Sequence, residues 1–405
     1  MSSVKKNIIY NVLSTFLAMC APLVVIPYLT MELGMGVYGK YVTILALASV
    51  LSALGDLGLG MYLPKEISIH RDNNLKLTEL ISAFLIIRGG TAATAIILSF
   101  YLIDGSTLLH GLTACYILIQ SMSFTLVFAG LERYKYLSIA DLISKMLLII
   151  MVVLIDYSSL GLEKAIGIQI LVGIILNAML LKEFFKNYNV GIKWVSLNNL
   201  FKIIKPSSSF YIVSLLSNLY THSSTYFVSL VVTSESVALY SIATQFYRIG
   251  HTIIGGVVRV IYTSTVRTKD FIMLKKITIL SLVVHLFFIP IVYFCGEYIL
   301  SVVFDFDTSI LSSLTTILYI TLFFVIISSY WGYPALTAIN KVKNAHLGVV
   351  FTFVIYAFSF SFVYFFDWIS LYTLVGCIVV SEFMGMLFRV HFINKFSYLF
   401  MLNRA

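Results

Sequence analysis

Charged side chains are scarce in this 405-residue chain, and their scarcity excludes most kinds of soluble protein. Asp, Glu, Lys and Arg together make up 11% of the residues, against about 25% in a typical soluble domain. Hydrophobic residues make up 60%, and the mean hydropathy is +0.98. Little polar material remains to cover a water-facing surface, so the composition predicts a membrane protein without a soluble domain.

The sequence also lacks the usual motifs for catalysis, phosphate binding and metal binding. No P-loop, GxSxG or HExxH pattern occurs, and the four cysteines lie in apolar runs without paired spacing. Gly34, Gly36 and Gly39 match GxGxxG, but that fingerprint needs a preceding strand, and here it follows an apolar run. We expect a tight turn between two helices there. The sequence predicts no enzyme activity, no cofactor and no metal.

Long apolar runs are what the chain does contain, and twelve of them can cross a bilayer as α-helices. The predicted fold is therefore an all-α polytopic membrane protein with twelve transmembrane helices. The predicted spans cover residues 8–30, 41–63, 80–103, 108–131, 139–155, 165–181, 210–232, 237–262, 277–303, 311–338, 347–366 and 371–393.

Basic residues between these spans are distributed very unevenly. The two tails and the alternate connectors on their side of the membrane carry 22 Lys and Arg residues, whereas the other connectors carry two, Lys40 and Lys164. Cytoplasmic connectors of membrane proteins are enriched in Lys and Arg. The pattern predicts that both termini are cytoplasmic, which requires an even number of spans.

The longest connector divides the chain into two halves of six spans each. We expect an N-terminal six-helix bundle over residues 1–185, a cytoplasmic linker over 186–209 and a C-terminal six-helix bundle over 210–405. Within the linker, Val195 to Ile204 has the pattern of an amphipathic helix at the membrane surface. Residues 32–41 and 234–241 echo one another, which favours a pseudo-symmetric pair of bundles, as in many transporters.

The eighth span carries the clearest polar stripe. Ionisable residues inside spans usually face a bundle interior or a water-filled cavity. Arg248 lies about 11 residues into the span, or roughly 16 Å at 1.5 Å per residue, so it is predicted near the midplane. Arg248 is expected to line an aqueous path or bind an anion, or else to form a structural ion pair with a neighbouring span. Arg259 lies nearer the cytoplasmic interface, where it either has such a function or extends its charged end to the membrane surface. The stripe consists of Ser241, Thr244, Arg248, Thr252, Gly255 and Arg259.

Four further ionisable residues within predicted spans are candidates for a structural or functional role. Asp56 of the second span and Arg88 of the third are placed to neutralise one another. Glu382 lies near the middle of the twelfth span, as a proton or cation relay or as the partner of an intramembrane arginine. His285 is isolated in the ninth span, where a core role is favoured over a relay.

An uncharged polar stripe follows the seventh span. Hydroxyl and amide groups on one helix face bind sugar hydroxyls, or they form hydrogen bonds between helices. The stripe consists of Tyr211, Ser214, Asn218, Thr221 and Thr225.

Four groups of residues occur in a recognisable order along the chain: Asn7, Asn11, Pro27, Leu33-Gly34 and Tyr38-Gly39; Gly55-Asp56-Leu57-Gly58; Gly130-Leu131-Glu132-Arg133; and Tyr240-Ser241-Ile242-Ala243. Their order and spacing resemble those of bacterial O-antigen flippases, the polysaccharide-transport branch of the multidrug/oligosaccharidyl-lipid/polysaccharide exporter superfamily. The resemblance covers essentially the whole chain. It departs at Met31-Glu32, where family members often place an arginine before the Leu-Gly pair.

The resemblance implies two bundles around a central cationic cavity, in the bacterial inner membrane. It also implies the substrate, an undecaprenyl-diphosphate-linked oligosaccharide flipped from the cytoplasmic to the periplasmic leaflet. Other polysaccharide assembly proteins are candidate partners, and nucleic acid is not expected. The residues assigned to substrate binding are Arg88, Arg248, Arg259, Ser214, Asn218, Thr221 and Thr244, and those assigned to ion coupling are Asp56 and Glu382.

Two other functions fit parts of the pattern. A polysaccharide polymerase or glycosyltransferase uses the same lipid carrier but needs a large outer loop, and the outer connectors here are short. A multidrug cation exporter of the same superfamily needs an acidic, aromatic cavity, and the intramembrane charges here are mixed with a bias to arginine.

Overall fold

The computed structural model describes residues 2–222 and 224–396, with side chains described from residue 19 onward except at positions 213, 217, 221, 222, 260 and 263. Within these residues the chain forms helices and no strands. The helices are α1 (Ser2–Leu54), α2 (Leu59–Ile69), α3 (Asn74–Leu102), α4 (Thr107–Ser121), α5 (Thr125–Gly130), α6 (Tyr134–Leu154), α7 (Gly161–Asn187), α8 (Leu197–His222), α9 (Ser224–Ser229), α10 (Ser234–Thr268), α11 (Phe271–Val303), α12 (Ser309–Trp331), α13 (Tyr333–Ala338), α14 (Val342–Phe365) and α15 (Leu371–Lys395).

Every predicted span coincides with helical structure. Ten helical segments among the described residues are long and apolar enough to cross a membrane by length and composition. One of them, Met19–Leu54, contains parts of two predicted spans, and the seventh predicted span is divided between α8 and α9. The fifth and sixth spans are longer than predicted, because α6 begins at Tyr134 and α7 continues to Asn187.

The first two spans are joined by a kink rather than by the expected turn. Gly34 has φ 74° and ψ 160°, and the chain is helical on both sides of it. A side chain is strained at this φ, so the position favours glycine. The GxGxxG pattern therefore marks a bend between two membrane helices. The pattern is not a dinucleotide-binding fingerprint, because helix rather than strand precedes the glycines.

The tenth span is interrupted where the sequence predicted a kink. Helix α12 ends at Trp331, Gly332 adopts φ −71° and ψ −96°, and α13 begins at Tyr333 with Pro334 in its first turn. Proline is tolerated at such a position because the first amide groups of a helix have no partner within it. The predicted kink at this sequence is confirmed.

The segment predicted as a linker is largely helical and packs against the protein. Helix α7 extends to Asn187 and α8 begins at Leu197, so the expected surface helix is in fact the start of α8. Val195 and Ile203 are buried in a hydrophobic core, while Lys202 on the same helix is exposed. Leu197 and Phe201 of the same stretch are 72% and 66% exposed, so its position at the membrane surface stays a prediction.

The chain divides into two compact units, residues 1–226 and 227–405. In the first, α8 contacts α1, α2 and α3. In the second, α12 is central, in contact with α10, α11 and α15, and Leu314, Leu318 and Leu322 along it are buried. The division falls within α9, whereas the sequence placed the start of the second bundle at residue 210, within α8. The predicted domain bounds and the assignment of six spans to each bundle stay predictions.

A close approach between Gly58 and α8 explains part of this packing. Gly58 has φ 82°, and a Cβ atom there would overlap the carbonyl oxygen of Ser207. Only a residue without a side chain fits both the conformation and the space.

Gly58→Ala is therefore expected to destabilise the protein by at least about 2 kcal/mol, through backbone strain and steric overlap. The measurement is thermal unfolding of the purified protein in detergent. The matched control is Gly111→Ala, since nothing lies within 4 Å of a Cβ at Gly111. Equal melting temperatures for the two variants would contradict the described packing.

Candidate functional site

The second span is broken in the middle of its predicted course. Helix α1 ends at Leu54 and α2 begins at Leu59; between them, Leu57 and Gly58 have φ values of 49° and 82°. A break at this depth leaves backbone carbonyl groups without helical partners, which is costly in hydrocarbon. The surrounding protein must supply hydrogen bonds to them.

Helix α8 supplies those hydrogen bonds. The hydroxyl group of Tyr211 donates to the carbonyl oxygen of Leu54 at 2.9 Å, and the Ser207 hydroxyl donates to that of Leu57 at 2.9 Å. Tyr211 was assigned by sequence to a sugar-binding stripe. In the structure its hydroxyl caps a helix end, so the alternative of bonding between helices holds for this residue.

An ion pair lies at the same break. Nη2 of Arg88 is 2.6 Å from Oδ1 of Asp56, and the two side chains are only 9% and 8% exposed. Nη1 of Arg88 also donates to the carbonyl oxygen of Ser52 at 3.2 Å, and the amide of Gly60 donates to the Asp56 carboxylate. The predicted pairing of Asp56 with Arg88 is confirmed. Its consequence is that each charge is compensated within the first unit.

Hydroxyl and amide groups extend this polar region onto α4. Ser52 and Ser121 have hydroxyl oxygens 3.3 Å apart, and Nε2 of Gln120 donates to the hydroxyl of Ser49 at 3.5 Å. Ser49 and Ser52 lie on the same face of the second span as Asp56, and the sequence analysis did not single out their partners on α4.

Arg248 lies on the second unit, in α10. It is half-buried, and its Nε and Nη2 atoms both donate to Oε1 of Gln245, at 3.1 and 2.9 Å. Tyr240, Tyr247 and Ile254 form the buried face of the same helix, and Arg248 lies beside that face. The hydrogen-bond partner Gln245 was missed by the sequence analysis, which searched for charged partners on other helices.

Glu382 is buried in the same unit, on α15, with 5% of its surface exposed. The hydroxyl of Tyr247 on α10 donates to its Oε1 at 2.9 Å. Tyr247 adjoins Arg248 in sequence, so α10 carries both Arg248 and a contact to Glu382.

The remaining predicted contact residues differ in their surroundings. Ser214 and Asn218 are half-buried, and the Asn218 amide lies 3.5 Å from the Ser214 hydroxyl; the side chain of Thr221 lies outside the described residues. Thr244 is buried and its hydroxyl hydrogen-bonds to carbonyls of its own helix. Arg259 is exposed. The structure thus gathers Arg88 with Asp56, and Arg248 with Gln245.

His285 is buried within the protein, in keeping with the core role that the sequence analysis favoured over a relay. Its side chain is buried and its ring centroid lies 4.7 Å from that of Tyr319 on α12. This placement between two packed helices fits a core residue.

Comparison with known proteins assigns the family. The profile of the family described as "Polysaccharide biosynthesis protein" matches residues 4–266, about two thirds of the chain. The chain belongs to the polysaccharide biosynthesis protein family. The family assignment reached from the short motifs is therefore confirmed. A search of curated protein sequences found no match.

Solved structures similar to this polysaccharide biosynthesis protein are transporters of the MOP superfamily. "Lipid II flippase MurJ, inward closed conformation" has a TM-score of 0.68 and 15% identity, covering 98% of this chain and 90% of that one. An inward-facing multidrug resistance MATE family transporter has a TM-score of 0.67 and 15% identity, with 97% and 96% covered. A MOP superfamily transporter from Pyrococcus furiosus has a TM-score of 0.63 and 14% identity, covering 98% of this chain and 96% of that one. These likenesses establish the fold, and the all-α polytopic fold class is confirmed.

The Asp56–Arg88 pair generates a test of stability. Removing one charge strands the other in a buried site, so Asp56→Asn and Arg88→Gln are each expected to cost about 3–5 kcal/mol. The double variant removes both charges and should recover a large part of that loss. A double-mutant cycle on thermal unfolding in detergent measures the coupling; strictly additive losses would show that the two groups do not interact.

Proposed function

We propose that this protein is a flippase. It moves undecaprenyl-diphosphate-linked O-antigen oligosaccharide units from the cytoplasmic to the periplasmic leaflet of the bacterial inner membrane, with both of its termini in the cytoplasm. Family membership and the MOP transporter fold support a transport role in polysaccharide biosynthesis. The further steps rest on the charges within the spans.

The observation that carries the proposal is the half-buried guanidinium of Arg248. Arg248 lies 14 residues after the first residue of α10, or about 21 Å along the helix axis, far from either end. A diphosphate is too strongly hydrated to enter hydrocarbon unaided, and guanidinium groups form forked, charge-assisted hydrogen bonds with phosphate oxygens. A cation at this depth offsets the desolvation of the headgroup midway through the membrane.

The other predicted contacts take different roles in this proposal. Arg259 is exposed toward the cytoplasmic end of α10 and suits the first encounter with the headgroup. Ser214 and Asn218 on α8 offer hydroxyl and amide groups to the glycan, while the polyprenyl tail stays in lipid. Arg88 is held by Asp56 and Thr244 by its own helix, so we assign both to support of the fold.

Alternating access of two pseudo-symmetric bundles around a cavity completes the mechanism, with coupling to a proton or sodium gradient. Of the two candidate carboxylates, Asp56 is paired with Arg88 in the first unit, and Glu382 is favoured because it lies in the unit that holds Arg248. Glu382 contacts α10 through Tyr247, the helix that carries Arg248. A change in its protonation would act on the helix that holds the headgroup.

The test is surface glycan in a deletion strain that expresses this chain or its variants. Arg248→Ala is expected to reduce display at least tenfold, and Arg248→Lys to retain part of it, because lysine keeps the charge and loses the fork. The matched control is Arg267→Ala, an exposed arginine at the end of the same helix, at equal membrane abundance. Normal display with Arg248→Ala would remove this residue from the mechanism.

The same strain separates the alternatives. A polymerase or glycosyltransferase would leave single repeat units, or an unglycosylated carrier, when deleted. A cation exporter would leave surface glycan intact and make the deletion strain sensitive to drugs. The flippase predicts lipid-linked units that accumulate in the cytoplasmic leaflet.

A further inference from the structure

Gln120 carries an exposed amide in the middle of a span. It lies 13 residues after Thr107 in the 24-residue helical segment Thr107–Gly130, and its side chain is exposed. With the described residues it makes one hydrogen bond, from Nε2 to the hydroxyl of Ser49 at 3.5 Å, which is long for such a bond. An amide in hydrocarbon costs free energy unless it is hydrogen-bonded. The position therefore requires water or a polar ligand.

The side of α4 that carries Gln120 faces protein rather than lipid. At about 100° per residue, Gln120 lies within about 60° of Leu109, Thr113 and Ile117 around the helix, and these three residues are buried. An exposed residue on the buried side of a helix indicates an opening beside it. The exposed apolar positions lie about 120–160° away from Gln120, and they are Leu108, Cys115 and Leu118.

The opening lies beside two interrupted helices. Helix α4 ends at Ser121, directly after Gln120, and α1 ends at Leu54. The hydroxyl oxygens of Ser52 and Ser121 are 3.3 Å apart, so these two helix ends are adjacent. Irregular backbone within a membrane is tolerated only where it is buried in protein or lines a water-filled cavity, and transporters often bind substrate at such discontinuous helices.

Helix α8 runs antiparallel to α1 at this place. The hydroxyl of Ser207 donates to the carbonyl oxygen of Leu57, and one turn later on α8 the hydroxyl of Tyr211 donates to that of Leu54. A step toward the C-terminus of α8 therefore corresponds to a step toward the N-terminus of α1.

This register brings the predicted sugar-binding stripe of α8 to the level of Gln120. Ser214 and Asn218 lie within about 60° of the α1-facing position 211, and both are half-buried. At 1.5 Å per residue they lie within about 3 Å of the levels of Ser52 and Ser49 on α1. Gln120 contacts Ser49, so amides and hydroxyls of α1, α4 and α8 occur at one depth in the first unit.

The ion pair beside these groups contributes no net charge. Nη1 of Arg88 donates to the carbonyl oxygen of Ser52, and Nη2 pairs with the carboxylate of Asp56. What Gln120 and Ser49 offer to a ligand is neutral hydrogen-bond donors and acceptors. These groups match the hydroxyls of a sugar, whereas a phosphate is bound most strongly by charged donors.

We propose that Gln120 and Ser49 bind hydroxyl groups of the glycan, in a site of the first unit that continues the stripe of Ser214 and Asn218. This inference rests on the proposed function and deepens it. It adds that the glycan is recognised by neutral groups of α1, α4 and α8, whereas the diphosphate is recognised by Arg248.

Gln120→Leu keeps the approximate size of the side chain and removes its amide. The purified full chain in detergent is titrated with two lipids, and binding is measured by native mass spectrometry. One lipid is undecaprenyl diphosphate, and the other is the lipid-linked oligosaccharide extracted from cells that make it. We expect Gln120→Leu to lose about fivefold in affinity for the oligosaccharide lipid, the effect of about one hydrogen bond. Its affinity for undecaprenyl diphosphate should match that of the unmodified chain.

The matched control is Gln169→Leu, which removes the amide of another glutamine in the first unit, hydrogen-bonded to Tyr41 at 2.8 Å. This variant should keep both affinities. Three results would overturn the inference: no loss of either affinity in Gln120→Leu, equal losses for the two lipids, or the same selective loss in Gln169→Leu. Melting temperatures show whether each variant is folded when it is assayed.

A second measurement holds even if Gln120→Leu is poorly folded. In a background without the four native cysteines, Gln120→Cys should react with a water-soluble thiol reagent, because the thiolate forms only where water reaches. The oligosaccharide lipid should slow this reaction more than undecaprenyl diphosphate does, and Leu118→Cys on the exposed apolar side should not react. A thiol at position 120 that does not react, or that both lipids protect equally, would contradict the proposed glycan contact.

The inference and the proposed function fail in distinguishable ways. If the unmodified chain binds neither lipid, the proposed function is wrong and the inference is wrong with it. If the chain binds both lipids and Arg248→Ala loses both, while Gln120→Leu binds the oligosaccharide lipid normally, the headgroup site stands and only the glycan site is wrong.

Discussion

The cost of a charge in hydrocarbon is the constraint on which this structure depends. A charged side chain at the bilayer centre must be paired, hydrated or protonated, and this chain uses different solutions at different places. Asp56 and Arg88 compensate one another at the helix break, and Glu382 is buried with a tyrosine hydroxyl. Arg248 is held by an uncharged amide. The Asp56–Arg88 pair stabilises the fold, and anion binding by Arg248 is the role that we propose for it.

Unpaired backbone groups obey the same constraint. The chain bends or breaks at Gly34 between the first two spans, at Gly58 in the second and at Gly332 in the tenth. At Gly58 the neighbouring carbonyl groups receive hydroxyl donors from α8, and the close approach of that helix requires a glycine. The packing of α8 in the first unit therefore follows from the need to satisfy one broken helix. It also explains why the contacts place α8 with the helices that precede it.

Hydrophobic runs and charge bias predicted much of the fold, because helix formation and span length depend on local sequence. The Asp56–Arg88 pair was also predictable, since two opposite charges in neighbouring spans have few other partners. The remainder depended on tertiary contacts. The amphipathic pattern of Val195–Ile204 is the same whether its apolar face packs against lipid or against a protein core. Tyr211 belongs to a polar stripe in the sequence, and only the tertiary structure shows that its hydroxyl caps a broken helix. Gln245 was missed because uncharged amides carry no signal in a search for ion pairs.

The central claim is that Arg248 faces water within the membrane, where an anionic lipid headgroup can reach it. The most direct measurement is thiol labelling of Arg248→Cys, in a background where Cys20, Cys115, Cys295 and Cys377 are replaced by alanine. Water-soluble thiol reagents react with the thiolate, which forms only where water reaches. Labelling of Arg248→Cys, beside an unlabelled Ile253→Cys on the exposed apolar side of α10, is the predicted result. A thiol at position 248 that does not react would contradict the account.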